Sequence, residues 1–351
     1  MKSYWSVLAL MITFISSAML ACEQWFDPNK VATHDTPHEI TPLVVHGRSA
    51  LACTTWKSPI SIDLFDVSSI DSLPGLKILG SFKTAHDDPT NYLCAIKKTN
   101  YLAHATSSRL LYRSIDDLNV ITSACDVSSL RGLWHSTKCN ALIALTAKRL
   151  EQISPECKTI FTSVPLSQGV WRTGCLVKDT HQIAAASSTG TLSLFDSRSF
   201  LDTRAVVQNN EDYIINRACA LKGKTALIVA ATSRSPSYQA QLFYLDLRNA
   251  KLVPFMSFNA DQEVIDLCFL PTCQQIAVAL TTWDTQPDDL ALIDSNQLAL
   301  TATHKSTARL HAVAALKKIK SMAVSTAQGL HIMQEPSLKD ELTDTWAPAK
   351  N

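Results

Sequence analysis

A frame of apolar and small residues recurs along this chain at intervals of 40 to 51 residues. In each copy an apolar residue is followed, eight positions later, by a second apolar residue, a run of small residues and a Ser or Thr. Repeats of this length build either β-propellers or helical solenoids, so the composition within each copy decides between the two. The seven copies start at the residues Leu43, Cys94, Trp134, Cys175, Cys219, Cys268 and Ala314.

Each copy contains several apolar runs that are too short for helices and rich in residues that favour strands. Residues 142–146 and 276–281 are runs of this kind, and each is preceded by a polar turn. A second run, such as residues 191–195, follows after a polar gap, and most copies add a third, such as residues 252–256. Three to four short strands per copy are typical of a propeller blade. The sequence therefore predicts an all-β fold, a seven-bladed β-propeller over residues 42–347.

The second apolar run of several copies ends in aspartate. The segment from Thr189 to Asp196 resembles the turn and third strand of a blade in the WD-repeat family, with Phe195-Asp196 in place of Trp-Asp. Three more copies carry an aspartate at the same place: Asp66, Asp246 and Asp294. The resemblance spans about residues 43–346 and implies a propeller that serves as a protein-binding scaffold.

Some positions depart from that family pattern. Arg113 and Gln334 stand where two of the copies would have the aspartate. The literal Trp283-Asp284 pair falls in the gap between the second and third strands of its copy, so it does not match the motif. We expect residues 40–45 to pair with the last blade, because closed propellers usually take one strand of a blade from each terminus.

Residues 1–21 have the features of a signal peptide. After Lys2 the chain carries no charge as far as Cys22, and Leu20-Ala21-Cys22 resembles the lipobox of bacterial lipoproteins, in which the cysteine is acylated. We therefore expect Cys22 to be lipidated and residues 22–41 to form a tether. With Glu23 next to it, the expected location is the periplasmic face of an outer membrane. The alternative is an uncleaved N-terminal anchor, because the uncharged stretch reaches the lower limit for a membrane span.

Charge and motif content argue against several functions. Lys and Arg number 32 and Asp and Glu 31, so the net charge of +1 provides no field that would attract nucleic acid. His34 and His38 are separated by Pro37, and no two cysteines have the close spacing of a zinc site. Phosphate-binding loops and nucleophile motifs are missing from the sequence. We predict no cofactor, no metal and no catalytic residue.

Ten cysteines are many for an exported domain. Four of them share one position in the first strand of their copies, where a thiol packs as a small apolar group between blades. They are Cys94, Cys175, Cys219 and Cys268. Cys125 and Cys157 lie near the outer strands of neighbouring copies and could form a disulfide.

Large aromatic and arginine residues, which most often anchor interfaces, concentrate at one rim of the expected ring. Loops between second and third strands carry Trp56, Lys57, Arg234, Tyr238 and Trp283. The connections into the first strands carry Trp171, Arg172 and Tyr213. We predict that these residues bind a protein partner, with envelope assembly as the expected process. In the competing interpretation, Trp171 belongs to the core of its blade and the other residues are scattered over the surface. Two alternative functions stay open. One is a propeller enzyme or small-ligand sensor with its site at the channel mouth, and the other is an intracellular WD-repeat scaffold.

Overall fold

The computed structural model of this chain describes residues 31–334, except for 33–36, 56–60, 69–76, 84–91, 208–211, 235–238, 283–287 and gaps of one or two residues. The described residues form seven antiparallel sheets of four strands each. Each sheet is a blade, and the blades are numbered 1 to 7 in chain order by their first strands. The all-β, seven-bladed propeller that the repeat predicts is confirmed.

The strands are grouped here by their position in the blade. First strands are β2 (Pro37–Val45), β6 (Tyr92–Ile96), β10 (Leu130–Ser136), β14 (Trp171–Leu176), β18 (Tyr213–Ala220), β22 (Gln262–Leu270) and β26 (Leu310–Leu316). Second strands are β3 (Arg48–Thr55), β7 (Tyr101–Ala105), β11 (Ala141–Thr146), β15 (Gln182–Ser187), β19 (Ala226–Ser233), β23 (Gln275–Thr282) and β27 (Ser321–Thr326).

Third strands are β4 (Ser61–Asp66), β8 (Arg109–Ser114), β12 (Leu150–Ile153), β16 (Leu192–Asp196), β20 (Ala240–Asp246), β24 (Asp288–Asp294) and β28 (Gly329–Gln334). Fourth strands are β5 (Lys77–Lys83), β9 (Ile121–Asp126), β13 (Thr159–Thr162), β17 (Asp202–Val207), β21 (Lys251–Ser257), β25 (Leu300–Ser306) and, from the start of the chain, β1 (Val31–Ala32). A 3-10 turn covers Lys317–Ile319. In the part of the chain that the structure describes, no helix has the length and hydropathy needed to cross a membrane.

In four copies the Ser or Thr that ends the repeat frame accepts a backbone hydrogen bond within the turn between the second and third strands: Thr106, Thr146, Ser187 and Thr326. The Thr106 hydroxyl accepts a hydrogen bond from the backbone N–H of Arg109 at 3.1 Å, and Thr146 accepts one from Arg149 at the same distance. Hydroxyl side chains favour turns because they satisfy backbone groups that a strand partner would otherwise bind. This local bonding explains why the residue recurs at the end of the frame.

The repeated aspartates have a matching role at the other end of the third strand. Asp196 accepts a hydrogen bond from the backbone N–H two residues later at 2.8 Å, and Asp246 does the same at 2.9 Å. Asp294 accepts from the N–H of Asn296 at 2.7 Å. Aspartate favours turns because its carboxylate can bond to the backbone in this way. The motif that resembles the WD-repeat family therefore marks the turns into the fourth strands.

The core is divided among the interfaces between blades. The described residues form seven clusters of buried apolar side chains, one between each pair of neighbouring blades. One cluster joins Leu51 and Phe65 of blade 1 to Ala323 and Leu330 of blade 7, so the ring is closed. The packing role predicted for four cysteines is confirmed, because each lies in a first strand and belongs to or contacts one of these clusters: Cys94, Cys175, Cys219 and Cys268.

The ring is completed by a different segment from the one we expected. Strand β1 pairs antiparallel with β28, with Val31 opposite His331, and so becomes the fourth strand of blade 7. The prediction that residues 40–45 pair with the last blade is wrong, because they lie in β2 and pair with β3 of blade 1. Strand structure also extends into the segment 22–41, since β2 begins at Pro37. A first strand has one edge with no partner strand, and proline is tolerated at such an edge.

Candidate interaction site at the channel mouth

The first strands of the seven blades surround a central channel. Each first strand contacts the first strand of the next blade all the way around the ring, so these strands form its inner wall. A cavity of about 290 Å³ lies at the end of the channel where the first strands begin. It draws on five blades and is lined by Tyr92, Arg131, Val170, Arg172, Ser188, Asn216, Arg217 and Glu263. We call this end of the ring, with its cavity and the loops between second and third strands, the channel-mouth rim.

A β-bulge recurs in the first strands of blades 3 to 7. In each one an extra residue interrupts the pairing with the second strand. A bulge bends its strand and changes the direction of a side chain, and bulges are frequent beside functional sites. The extra residues are Arg131, Arg172, Asn216, Ile265 and His311. Three of these five line the cavity, so the bulges determine which side chains reach the channel mouth.

Arg217 and Asp266 connect three inner strands beside the cavity. The Arg217 Nε atom lies 3.9 Å from Oδ1 of Asp266 in the next blade. The other carboxylate oxygen of Asp266 accepts a hydrogen bond from the backbone N–H of Val313, in the blade after that, at 2.9 Å. Desolvation raises the pKa of Asp266, and the Arg217 charge and two backbone N–H donors oppose that effect. The carboxylate thus fixes blades 5, 6 and 7 relative to one another at the channel wall.

Arg131 and Arg172 are arranged differently. Both side chains are exposed and line the cavity. Among the described residues, neither guanidinium has a hydrogen-bond or ion-pair partner. A guanidinium without a partner can donate two parallel hydrogen bonds to the oxygens of an incoming anion, which is the interaction that arginine favours. The cavity holds two such groups.

A network of hydrogen bonds holds the loop on the blade 4 side of the cavity. The Ser188 hydroxyl accepts from the N–H of Val170 at 3.1 Å, and the N–H of Ser188 donates to the Val170 carbonyl at 2.7 Å. Arg234 of blade 5 donates from Nη2 to the Ser188 carbonyl at 2.6 Å. Gly169 precedes Val170 with φ of +76°, a conformation in which glycine avoids the strain of a side chain. The loop is therefore fixed in place before any ligand arrives.

The structure separates the predicted binding residues into three groups. Arg172 lines the cavity and Arg234 supports its wall, so both lie at the predicted rim. Trp171 is only 2% exposed and packs edge-on against Phe195, and Tyr213 packs edge-on against Phe243 between blades. Trp171 is thus a core residue, as the competing interpretation held, whereas Tyr213 is partly exposed and packs against the core between blades 4 and 5. Trp56, Lys57, Tyr238 and Trp283 lie outside the described residues, as does the lipidation site Cys22.

Sequence reasoning missed most of the cavity. Arg131, Asn216, Arg217 and Glu263 were not among the predicted binding residues, although one signal could have found the first two. Each extra residue of the five bulges stands three positions before the residue that starts its repeat copy: before Trp134, Cys175, Cys219, Cys268 and Ala314. A polar residue at that position in an otherwise apolar strand indicates a side chain directed to the channel.

Other chemistry is limited in the described part of the chain. No group of three or more His, Cys, Asp or Glu side chains there could hold a metal ion. The pairing of Cys125 with Cys157 stays a prediction, because Cys157 lies outside the described residues. Charge and hydrogen-bond donors, rather than a reactive side chain, are what the lining of the cavity offers.

Comparison with known proteins identifies the fold. No protein-family model matches this chain, and no curated protein sequence matches it. Its structure is similar to the β-propeller domain of Cps50 (Swd1) from Myceliophteria thermophila, with a TM-score of 0.65 and 12% sequence identity. The similarity covers 86% of this chain and 97% of that domain. At this identity the similarity shows the fold alone. That fold agrees with the propeller that the repeat predicts.

Proposed function

We propose that this chain is a protein-interaction scaffold that binds its partner at the channel-mouth rim and is held on a membrane by lipid on Cys22. The observation that carries the binding site is the cavity at the channel mouth, into which five blades contribute residues and in which Arg131 and Arg172 have no described partner. Exposed polar side chains without a structural role at a concave surface favour a binding function.

The construction of the ring supports a scaffold. Seven separate cores fix each blade against its neighbours, and Asp266 links three inner strands beside the cavity. A surface that is already ordered loses little conformational entropy when a partner binds, so more of the contact energy appears as affinity. The hydrogen-bonded loop at Ser188 and Val170 extends this order to the rim.

The position of β1 determines where the proposed anchor would attach. Cys22 lies nine residues before Val31, which is paired at the outer edge of blade 7. Nine residues of extended chain span at most about 30 Å. A lipid on Cys22 would therefore keep that edge of the ring close to the bilayer. Envelope assembly is the process in which we propose that such an anchored scaffold takes part.

The experiment uses two exposed valines at opposite ends of inner strands. Val170, 37% exposed, lines the cavity, whereas Val44, 48% exposed, lies near the end of β2 at the opposite rim. A photo-crosslinking amino acid is introduced at each position in the full-length protein, in the cells that produce it. We expect a discrete protein adduct, identified by mass spectrometry, from position 170 and not from position 44. Adducts from position 44 alone, or from neither position, would contradict the proposal.

A further inference from the structure

We infer that the cavity at the channel mouth binds an acidic segment of the partner protein, with neighbouring carboxylates placed between Arg131, Arg172 and Arg217. This inference rests on the proposed function and names the chemistry of the partner at the same site. It is carried by the charge, the size and the hydrogen-bond donors of the cavity.

The charge of the cavity differs from that of the molecule. Three arginines and one glutamate line it, which gives +3 − 1 = +2. Asp266 lies beside the cavity, with its Oδ1 atom 3.9 Å from Nε of Arg217. If its ionised carboxylate is included, the net charge at the cavity is +1. The whole chain of 351 residues carries only +1. The lining of the cavity is therefore positively charged, and exposed charges beyond about 8 Å are largely screened at physiological salt, so a ligand in the cavity responds mainly to this local charge.

The distribution of charge within the cavity is uneven. Glu263 lies on the blade 6 side, and Asp266 already engages Arg217 there. Arg131 and Arg172 come from blades 3 and 4 and face no carboxylate within ion-pair distance among the described residues. An incoming carboxylate is attracted to the blade 3 and blade 4 side and repelled from the blade 6 side. This polarity gives the bound segment one preferred orientation.

The donors around the arginines suit a carboxylate. Arginine presents its N–H groups in a planar fork that matches the two oxygens of a carboxylate. The Ser188 hydroxyl accepts a hydrogen bond from Val170, so its own proton remains able to donate. Arg217 also donates from Nη1 to the backbone carbonyl of Asn216 at 3.0 Å, which restrains its side chain at the cavity wall. These groups can satisfy the several lone pairs of a carboxylate that has left water.

The size of the cavity favours a protein segment over a nucleic acid. A volume of about 290 Å³ is at the lower end of small-ligand sites and accommodates side chains rather than a helix. A nucleic acid needs a basic surface that follows its backbone over many phosphates, whereas this positive charge is confined to one cavity. An acidic loop or terminus that inserts one or two side chains fits both the charge and the volume.

The experiment measures binding of a fluorescent Glu-rich peptide to the full chain by anisotropy. The test variant is Arg131→Gln with Arg172→Gln. The control is Lys138→Gln with Lys222→Gln, which removes the same charge from exposed turns at the opposite rim of blades 3 and 5. Because none of the four side chains is buried, all variants should keep the thermal midpoint of the wild type. A Gln-rich peptide and a single-stranded RNA of equal length serve as competing ligands.

We expect the wild type and the control variant to bind the Glu-rich peptide and the test variant to bind it about tenfold or more weakly. Binding should also weaken as salt rises from about 50 mM to about 500 mM. Equal binding by all three proteins, no binding of the Glu-rich peptide, or a preference for the Gln-rich peptide or the RNA would overturn the inference. If the peptide experiment fails but the crosslinker at position 170 still yields a protein adduct, the proposed function stands and only this inference is overturned. If position 170 yields no adduct, the proposed function itself is contradicted.

Discussion

The guanidinium carbon of Arg113 lies 3.6 Å from the centre of the Phe82 ring, so a buried cation in blade 2 stacks on the fourth strand of blade 1. The sequence frame aligned Arg113 with the turn-forming aspartates of other blades, and the strand register shows that this alignment is wrong by one residue. Arg113 pairs with Leu102 as Phe195 pairs with Ile183, so Ser114 takes the place of the aspartate. Its Nε donates to Nδ1 of His104 at 3.1 Å and its Nη1 donates to the Leu118 carbonyl at 2.6 Å. Burial lowers the pKa of Arg113 to about 10. The buried Arg113 side chain thus joins blade 2 to blade 1.

Replacement of Arg113 by alanine should destabilise the protein. The Leu118 carbonyl would lose its described donor, and a buried polar group left without a partner costs about 1–3 kcal/mol. Phe82→Leu should cost less, because it removes only the stacking partner, and the two effects should couple by about 0.5–2 kcal/mol. Urea unfolding of the two single variants and the double variant measures the coupling. Additive effects would show that the stacking contributes nothing.

Acid should destabilise the ring through buried histidines. Burial, and then the charge of Lys97, lower the pKa of His135, whose Nδ1 accepts from the Lys97 backbone N–H at 3.3 Å. Burial also lowers the pKa of His331. At pH values below 6.5, the ordinary pKa of histidine, the unfolded chain therefore binds more protons than the folded one. The free energy of unfolding consequently decreases as the pH is lowered. The raised pKa of Asp266 acts with the opposite sign, because there the folded state binds the proton more readily.

The measurement is the thermal midpoint between about pH 8 and about pH 5, the range in which histidine titrates. His135→Gln keeps an acceptor for the Lys97 N–H but cannot take up a proton. We expect the midpoint of the variant to fall less steeply with acidification than that of the wild type. Parallel curves for the two proteins would exclude His135 as a contributor.

The lipid anchor gives a third prediction. Cys22→Ala should abolish incorporation of a fatty-acid analogue and leave an unprocessed or soluble product, because the thiol is the acylation site in the lipobox that Leu20-Ala21-Cys22 resembles. Substitution of Cys53, a buried cysteine of blade 1, is the matched control and should leave labelling unchanged. Equal labelling of the wild type and Cys22→Ala would contradict the prediction.

A fourth prediction concerns Trp56 and Trp283, which the sequence assigns to the rim and which lie outside the described residues. The double variant Trp56→Ala with Trp283→Ala should keep nearly the thermal stability of the wild type and weaken capture of the partner that crosslinks at position 170. Trp171→Ala is the contrasting variant. Its ring is buried between blades 3 and 4, so its loss should cost about 3–5 kcal/mol of stability. A large loss of stability in the double variant, or undiminished capture, would place the partner site elsewhere.

The repeat predicted the fold well because it reflects local bonding and packing. All seven frames start in a first strand, and the frame-ending Thr106 and Thr146 and the strand-ending Asp196 and Asp246 each bond to the backbone of their own turn. Interactions within a few residues leave a repeated mark in the sequence. The number of blades could therefore be counted from the spacing of the copies alone.

The cavity and the closure of the ring were harder to predict because they depend on distant parts of the chain. Arg131, Arg172 and Arg217 are separated by about forty residues each, one repeat length, and converge only because neighbouring inner strands pack side by side. Trp171 and Tyr213 looked like surface anchors, yet Trp171 is buried in the core between blades 3 and 4 and Tyr213 is partly buried against the core between blades 4 and 5. Strand β1 has two residues, too few for any periodic signal, and is defined only by its pairing with β28.

Hydrogen exchange on the full chain, with and without the partner recovered by crosslinking, tests the central claim that this rim is the binding surface. The account predicts slower exchange on binding in residues 169–173 and 212–217, where the inner strands of blades 4 and 5 begin. It predicts no change in residues 137–140 and 222–225, which form the turns at the opposite rim. Protection confined to those turns, with the cavity segments unchanged, would contradict it.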